Sequence, residues 1–148
     1  MKKTILILLF FITSCGYQPI YLNKNITNFE FSKINFEGEK NINRKILSTL
    51  PFKENASDKS LNELILKSSF TVEETSKDSK GQVKSYRSSI NVDLSIVKNK
   101  KVIKNKNFIK DFTYSNISSK FELVEYQEQV KNNIINKVIE EIILYMSL

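Results

Sequence analysis

The stretch VKSYRSSINVDLSIV, residues 83–97, sets Tyr86, Ile90, Val92, Leu94 and Ile96 on one parity and Arg87, Ser89, Asn91, Asp93 and Ser95 on the other. Side chains of an extended chain alternate between its two faces, so this stretch reads as a strand with one dry and one wet face. Its neighbours repeat the pattern. Upstream, Leu64, Leu66, Phe70 and Val72 alternate with polar residues across 63–76, and residues 77–81, ending in Gly81, supply the turn between the two strands. Downstream, residues 99–101 turn the chain into a third long strand, 102–114, where Val102, Phe108, Phe112 and Tyr114 share their parity with Lys104, Lys106 and Lys110. Lysines among apolar residues on one face suit the edge of a sheet, where they deter pairing with other chains.

A dry sheet face needs a cover, and the sequence offers two helices. Ser119-Lys120-Phe121-Glu122 is a capping box. Beyond it Leu123, Tyr126, Val130, Ile134, Val138 and Ile142 form one row, flanked by Ile135, Ile139, Ile143 and Met146, with Glu125, Gln129, Asn132, Asn136 and Glu140 turned away. Such a helix lies on a sheet and does not cross a membrane. Between Gly38 and Pro51, the spacing of Ile42, Ile46, Leu47 and Leu50 predicts a shorter amphipathic helix with Asn41 as its cap. Residues 28–36 carry Phe29 and Phe31 out of phase with Ile34 and Phe36, which predicts a strand bulged near Lys33; residues 53–60 read as a polar connector. The expected fold is α+β, two helices packed on one face of a four-stranded, mainly antiparallel sheet in the order β-α-β-β-β-α.

The N-terminus reads differently. Lys2 and Lys3 precede a run, TILILLFFI at residues 4–12, too short to cross a hydrocarbon core of about 30 Å as a helix. It ends in Ile12-Thr13-Ser14-Cys15, a branched apolar residue, two small ones and the sole cysteine of the chain. This is the lipobox pattern of bacterial lipoproteins. Residues 1–14 are therefore expected to be a cleaved signal peptide, 15–27 an extended leader whose Cys15 carries a diacylglycerol and an N-acyl chain, and 28–148 a single domain. Two acyl chains suffice for stable anchoring where one is marginal. Gly16, in place of an aspartate after the cysteine, favours the outer membrane. Cleavage would remove Lys2 and Lys3 and lower the formal charge from +7 to +5.

Composition excludes several classes. With no histidine and one cysteine among 148 residues, His or Cys metal sites, internal disulfides and Ser/His/Asp or Cys/His triads are out, and Gly 3 leaves no phosphate-cradling loop. The chain reads as a non-enzymatic protein without a cofactor beyond the lipid on Cys15. Its basicity is partly compositional, since Lys, Ile and Asn dominate the sequence together.

The Cys15-Gly16 pair followed by Tyr17, Pro19 and Tyr21, the Gly81 hairpin with its long alternating strand, and NISSKFELVEY at 116–126 leading into the last helix together resemble the lipopolysaccharide-assembly lipoprotein family LptE, across the whole mature chain. The resemblance implies an outer-membrane lipoprotein facing the periplasm, which plugs and supports assembly of the LptD β-barrel and binds lipopolysaccharide. The same anchor also suits another lipoprotein adaptor, a secretin pilotin or an auxiliary subunit of a lipid transporter. The chain departs from the family in its Lys and Asn richness and its short length.

Lys98, Lys100, Lys101 and Lys104, with Lys80, Lys84 and Arg87 near the preceding turn, are the candidate lipopolysaccharide-binding residues, because clustered cations give phosphates charge-assisted hydrogen bonds. Solvated turns and lysine-guarded edge strands are the more frequent reason for such residues. Nucleic acid is not an expected partner, since export removes the chain from it and the aromatics are spaced for a core. Cys15→Ser is expected to leave the chain unprocessed and unlabelled by radioactive palmitate, measured by gel mobility and autoradiography.

Overall fold

Residues 28–147 are described in the computed structural model; the expected signal segment 1–14, the leader 15–27 and Cys15 lie outside them. Two helices and six strands follow in the order β1 (Phe29–Phe31), β2 (Lys33–Gly38), α1 (Lys40–Thr49), β3 (Phe52–Glu54), β4 (Glu63–Lys77), β5 (Val83–Lys98), β6 (Lys101–Ser115) and α2 (Lys120–Met146). Strands β2-β4-β5-β6 form the expected four-stranded sheet. The β4–β5 and β5–β6 pairs are antiparallel hairpins, whereas α1 returns the chain so that β2 lies parallel to β4.

Parity fixes the core. The register aligns Leu66, Leu94 and Lys106, then Ser68, Val92 and Phe108, then Phe70, Ile90 and Lys110 across three strands. Even-numbered residues therefore share one face. There Leu64, Leu66, Ile90, Val92 and Leu94 are sealed from solvent together with Ile42 and Ile46 of α1 and Val138 and Ile142 of α2. Each such side chain contributes roughly 1.5–3 kcal/mol by leaving water. Ser88, also on this face, is accommodated because its hydroxyl lies 3.0 Å from the Tyr114 hydroxyl.

The residues predicted as one bulged strand form two. Phe29 and Phe31 of β1 pack edge-on against Phe52, at 5.9 and 5.5 Å, and β1 pairs in parallel with β3 in a separate two-stranded sheet. Ile34 and Phe36 of β2 instead align with Leu64 and Leu66. Odd aromatics must face one partner and even ones another, and Ser32, whose amide donates to the Asn62 carbonyl at 2.9 Å, takes up the change. The predicted connector accordingly begins with β3. The cap of α1 is Glu39, with no side-chain cap bond, and Asn41 falls within the first turn. In α2 the Ser119 hydroxyl accepts the Glu122 amide as the capping box requires. Phe112 shares parity with buried Phe108 and Tyr114 yet stays 44% exposed, because β6 is an edge that α2 covers only in part, whereas Val102, 61% exposed, lies past a register shift that pairs it with odd-numbered Val97.

The β2–α1 junction is stitched to β4. The Glu39 amide donates to the Ser68 carbonyl at 3.1 Å, the Ser68 hydroxyl returns to the Glu39 carbonyl at 3.2 Å, and the buried Asn43 amide donates to the Glu37 carbonyl at 2.9 Å. Gly38, at φ +82°, sits so near that a Cβ would lie 1.9 Å from the Ser68 oxygen. Gly38→Ala is expected to cost about 2–5 kcal/mol through strain and overpacking. Gly81→Ala, at φ +79° in open space, should cost only about 1 kcal/mol, both costs being read from urea unfolding of the two variants against the parent chain.

Candidate interaction surfaces

The cations singled out in the sequence separate onto two poles. Strand β5 has 16 residues and spans about 50 Å, so the β4–β5 turn and the β5–β6 turn stand at opposite ends of the sheet. Lys80, Lys84 and Arg87 belong to the first pole, and Lys98, Lys100 and Lys101 to the second. Lys104 stands apart from both, its ammonium 4.4 Å above the Tyr145 ring on the helix-covered face.

At the first pole the charge is largely matched. The Asp78 carboxylate accepts the Lys80 and Gln82 amides, both at 2.9 Å, which closes the turn around Gly81. Its second oxygen is 3.7 Å from the Lys84 ammonium. The Gln82 amide above all, joined by the Lys80 amide and the Lys84 ammonium, holds the Asp78 carboxyl below the ordinary 3.8, outweighing a desolvation effect that is second in size and raises it. Lys77 pairs with Glu74 at 2.9 Å, a hydrogen bond that raises its pKa, and Arg87 lies 3.9 Å from Asp111.

The second pole is different. Asn99 and Lys100 adopt φ +50° and +62° in a two-residue hairpin turn, a conformation open to asparagine and strained for lysine. Beside it lies a shallow cleft of about 530 Å³ lined by Lys33, Lys59, Lys98 and Lys100, with Glu63 the acidic residue in its wall. None of these four lysines forms an ion pair among the described residues. Lys33 and Lys59 carry no signal in the sequence, because only the register Lys33↔Glu63↔Val97 brings the start of β2 to the end of β5. Four ammonium groups around one depression can hold a phosphate or carboxylate through charge-assisted hydrogen bonds. Lys101 lies just past the turn, outside the cleft lining.

Two further surfaces remain. Among the described residues the odd-numbered sheet face is uncovered and mainly polar, with the Asn105 amide on the Ser95 hydroxyl and the Asn107 amide on the Asn91 oxygen, both at 2.7 Å. Between β6 and α2 runs a groove of about 360 Å³ walled by Phe112, Tyr126, Val130 and Ile134 and flanked by Lys110, which pairs with Glu141, by Lys137, and by the acids Asp111 and Glu140. Among the described residues no helix is long and apolar enough to cross a membrane.

No protein-family model and no curated protein sequence matches the chain. Solved structures do. Rare lipoprotein B from Shewanella oneidensis superimposes with a TM-score of 0.63 at 14% identity, covering 78% of this chain and 93% of that one. A minor lipoprotein from Acinetobacter baumannii reaches 0.52 at 10% identity, over 76% of this chain and 88% of that one. Uncharacterized lipoprotein B from Nitrosomonas europaea reaches 0.53 at 10% identity, over 78% and 83%. At these identities the likeness is one of fold.

A carboxyl whose pKa folding lowers contributes stability above its unfolded value, and loses it as pH falls through the lower folded value. Acidification below pH 3.8 is therefore expected to loosen the β4–β5 turn. Amide exchange at Lys80 and Gln82, followed by NMR relative to the intrinsic rate, should rise over that range in the native chain and be pH-independent in Asp78→Asn.

Proposed function

We propose that this chain is an outer-membrane lipoprotein of the LptE type, tethered through acyl chains on Cys15 and seated in an LptD-like β-barrel as plug and assembly partner. The observation that carries the reading is a domain with the fold of rare lipoprotein B, matched over 93% of that chain, following a lipobox cysteine. The surfaces suit the role. Lumens of outer-membrane barrels are polar, and the odd-numbered face offers them Ser69, Ser89, Asn91, Ser95, Asn105 and Asn107. The helices keep Ile42, Ile46, Val138 and Ile142 inside the domain, so insertion would not expose the core.

In this reading lipopolysaccharide meets the second pole. Its phosphates and carboxylates would enter the cleft of Lys33, Lys59, Lys98 and Lys100, while the matched charges around Asp78 contribute little. No bond is made or broken; the protein acts by fit and by charge.

Affinity isolation of the tagged chain from detergent-extracted outer membranes is expected to recover a large β-barrel protein in stoichiometric amount, and recovery of the chain alone would overturn the reading. Replacing Lys33, Lys59, Lys98 and Lys100 together by Gln should weaken lipopolysaccharide capture at least about tenfold at low salt, with a smaller difference at high salt. Lys80, Lys84 and Arg87 changed to Gln should leave capture within about twofold.

A further inference from the structure

Strand β6 ends the sheet, and its hydrogen bonding shows which backbone groups face outward. The Asn116 amide donates to the Lys84 carbonyl at 2.8 Å. From Ser85↔Ser115 to Ile96↔Lys104 the register runs without a shift, so even-numbered residues of β6 carry the bonds to β5. Odd-numbered residues then point their N–H and C=O groups away from the sheet. The Tyr145 hydroxyl, donating to the Asn105 carbonyl at 3.4 Å, agrees with this and caps the row at one end. Beyond that cap Asn107, Ile109, Asp111 and Thr113 offer a ladder that is free among the described residues. Ile109, 61% exposed, stands beside it on the open face. On the other face lies the groove of Phe112, Tyr126, Val130 and Ile134.

A free ladder with an apolar groove on one side and a single exposed isoleucine on the other is the geometry of strand addition, in which main-chain bonds give affinity and alternate side chains fill pockets. Charge selects the occupant. Within β6, Lys101, Lys104, Lys106 and Lys110 face a single acid, Asp111, so a second β6 strand would bring like charge against like. The chain's own residues 16–27 carry Lys24 and no acid. Lys106 beside the ladder and Lys137 beside the groove form no ion pair among the described residues. We propose that the free edge of β6 between Asn107 and Thr113 binds an extended acidic segment of another protein as an added strand, a bulky apolar side chain filling the groove and carboxylates meeting Lys106 and Lys137. The lysines that deter self-pairing are thus the ones that admit this partner.

The test uses the full chain, ¹⁵N-labelled, and a capped nine-residue peptide with valines on one face and a phenylalanine between two glutamates on the other. Slowed amide exchange at Asn107, Ile109, Asp111 and Thr113, without change at the even-numbered neighbours, is expected. A peptide with lysines for the glutamates should bind at least about tenfold more weakly. Ile109→Pro removes one outward N–H without touching a bond to β5 and should abolish the protection. Lys137→Glu, an exposed position beside the groove and outside the core, should weaken binding several-fold if Ile109→Pro proves unfolded. Equal binding of both peptides, no protection at the edge, protection that rises with protein concentration alone, or protection present without peptide and lost on deleting residues 16–27 would each overturn the proposal.

Discussion

Everything in this molecule depends on keeping a single parity of β5 dry. Ile90, Val92 and Leu94 are wholly sequestered between two flanking strands and beneath α2. A slip of one residue would turn all three outward and bring Asn91 and Asp93 into the core. The alternation therefore fixes the register of the whole meander, and the register determines where every other group sits. Among the described residues it also leaves the opposite face without a second layer, so these have one interior and an exterior that includes a polar plane, two charged poles and a raw edge.

Most of this architecture is legible in the residues. The period-two rows of β4 and β5 and the double stripe of α2 each need one partner surface, and local pattern and tertiary packing agree. The Ser119 cap is visible for the same reason, being a contact between neighbours in sequence. What the sequence conceals is whatever depends on distant pairing. Phe29 and Phe31 look like part of a strand with Ile34 and Phe36, and only the presence of Phe52 explains why the chain divides at Ser32. Phe112 looks like core until the limited reach of α2 is known.

The candidate cations show the same division. Counting along the chain finds Lys98 and Lys100 but groups them with Lys101 and Lys104, which lie outside the cleft. Their companions arrive through pairings that no local spacing announces, Lys33 by the parallel ladder of β2 with β4 and Lys59 from the loop that leads into β4, which runs antiparallel to β5. Lys80, Lys84 and Arg87 seem equivalent in sequence, yet Asp78 and Asp111 stand close enough to balance two of them. A basic count says how much charge is present; neighbouring carboxylates decide how much is available.

The short pairing of β1 with β3 has a mechanical consequence. A pull delivered from the N-terminal side of Phe29 meets first a three-residue strand, held by one ladder and the Phe52 ring. Only after that gives way does tension reach β2, whose six residues lie along β4. Because Phe31 is buried in the same core as Ile46 and Leu64, loss of this short ladder would already draw an aromatic ring out of the hydrophobic interior.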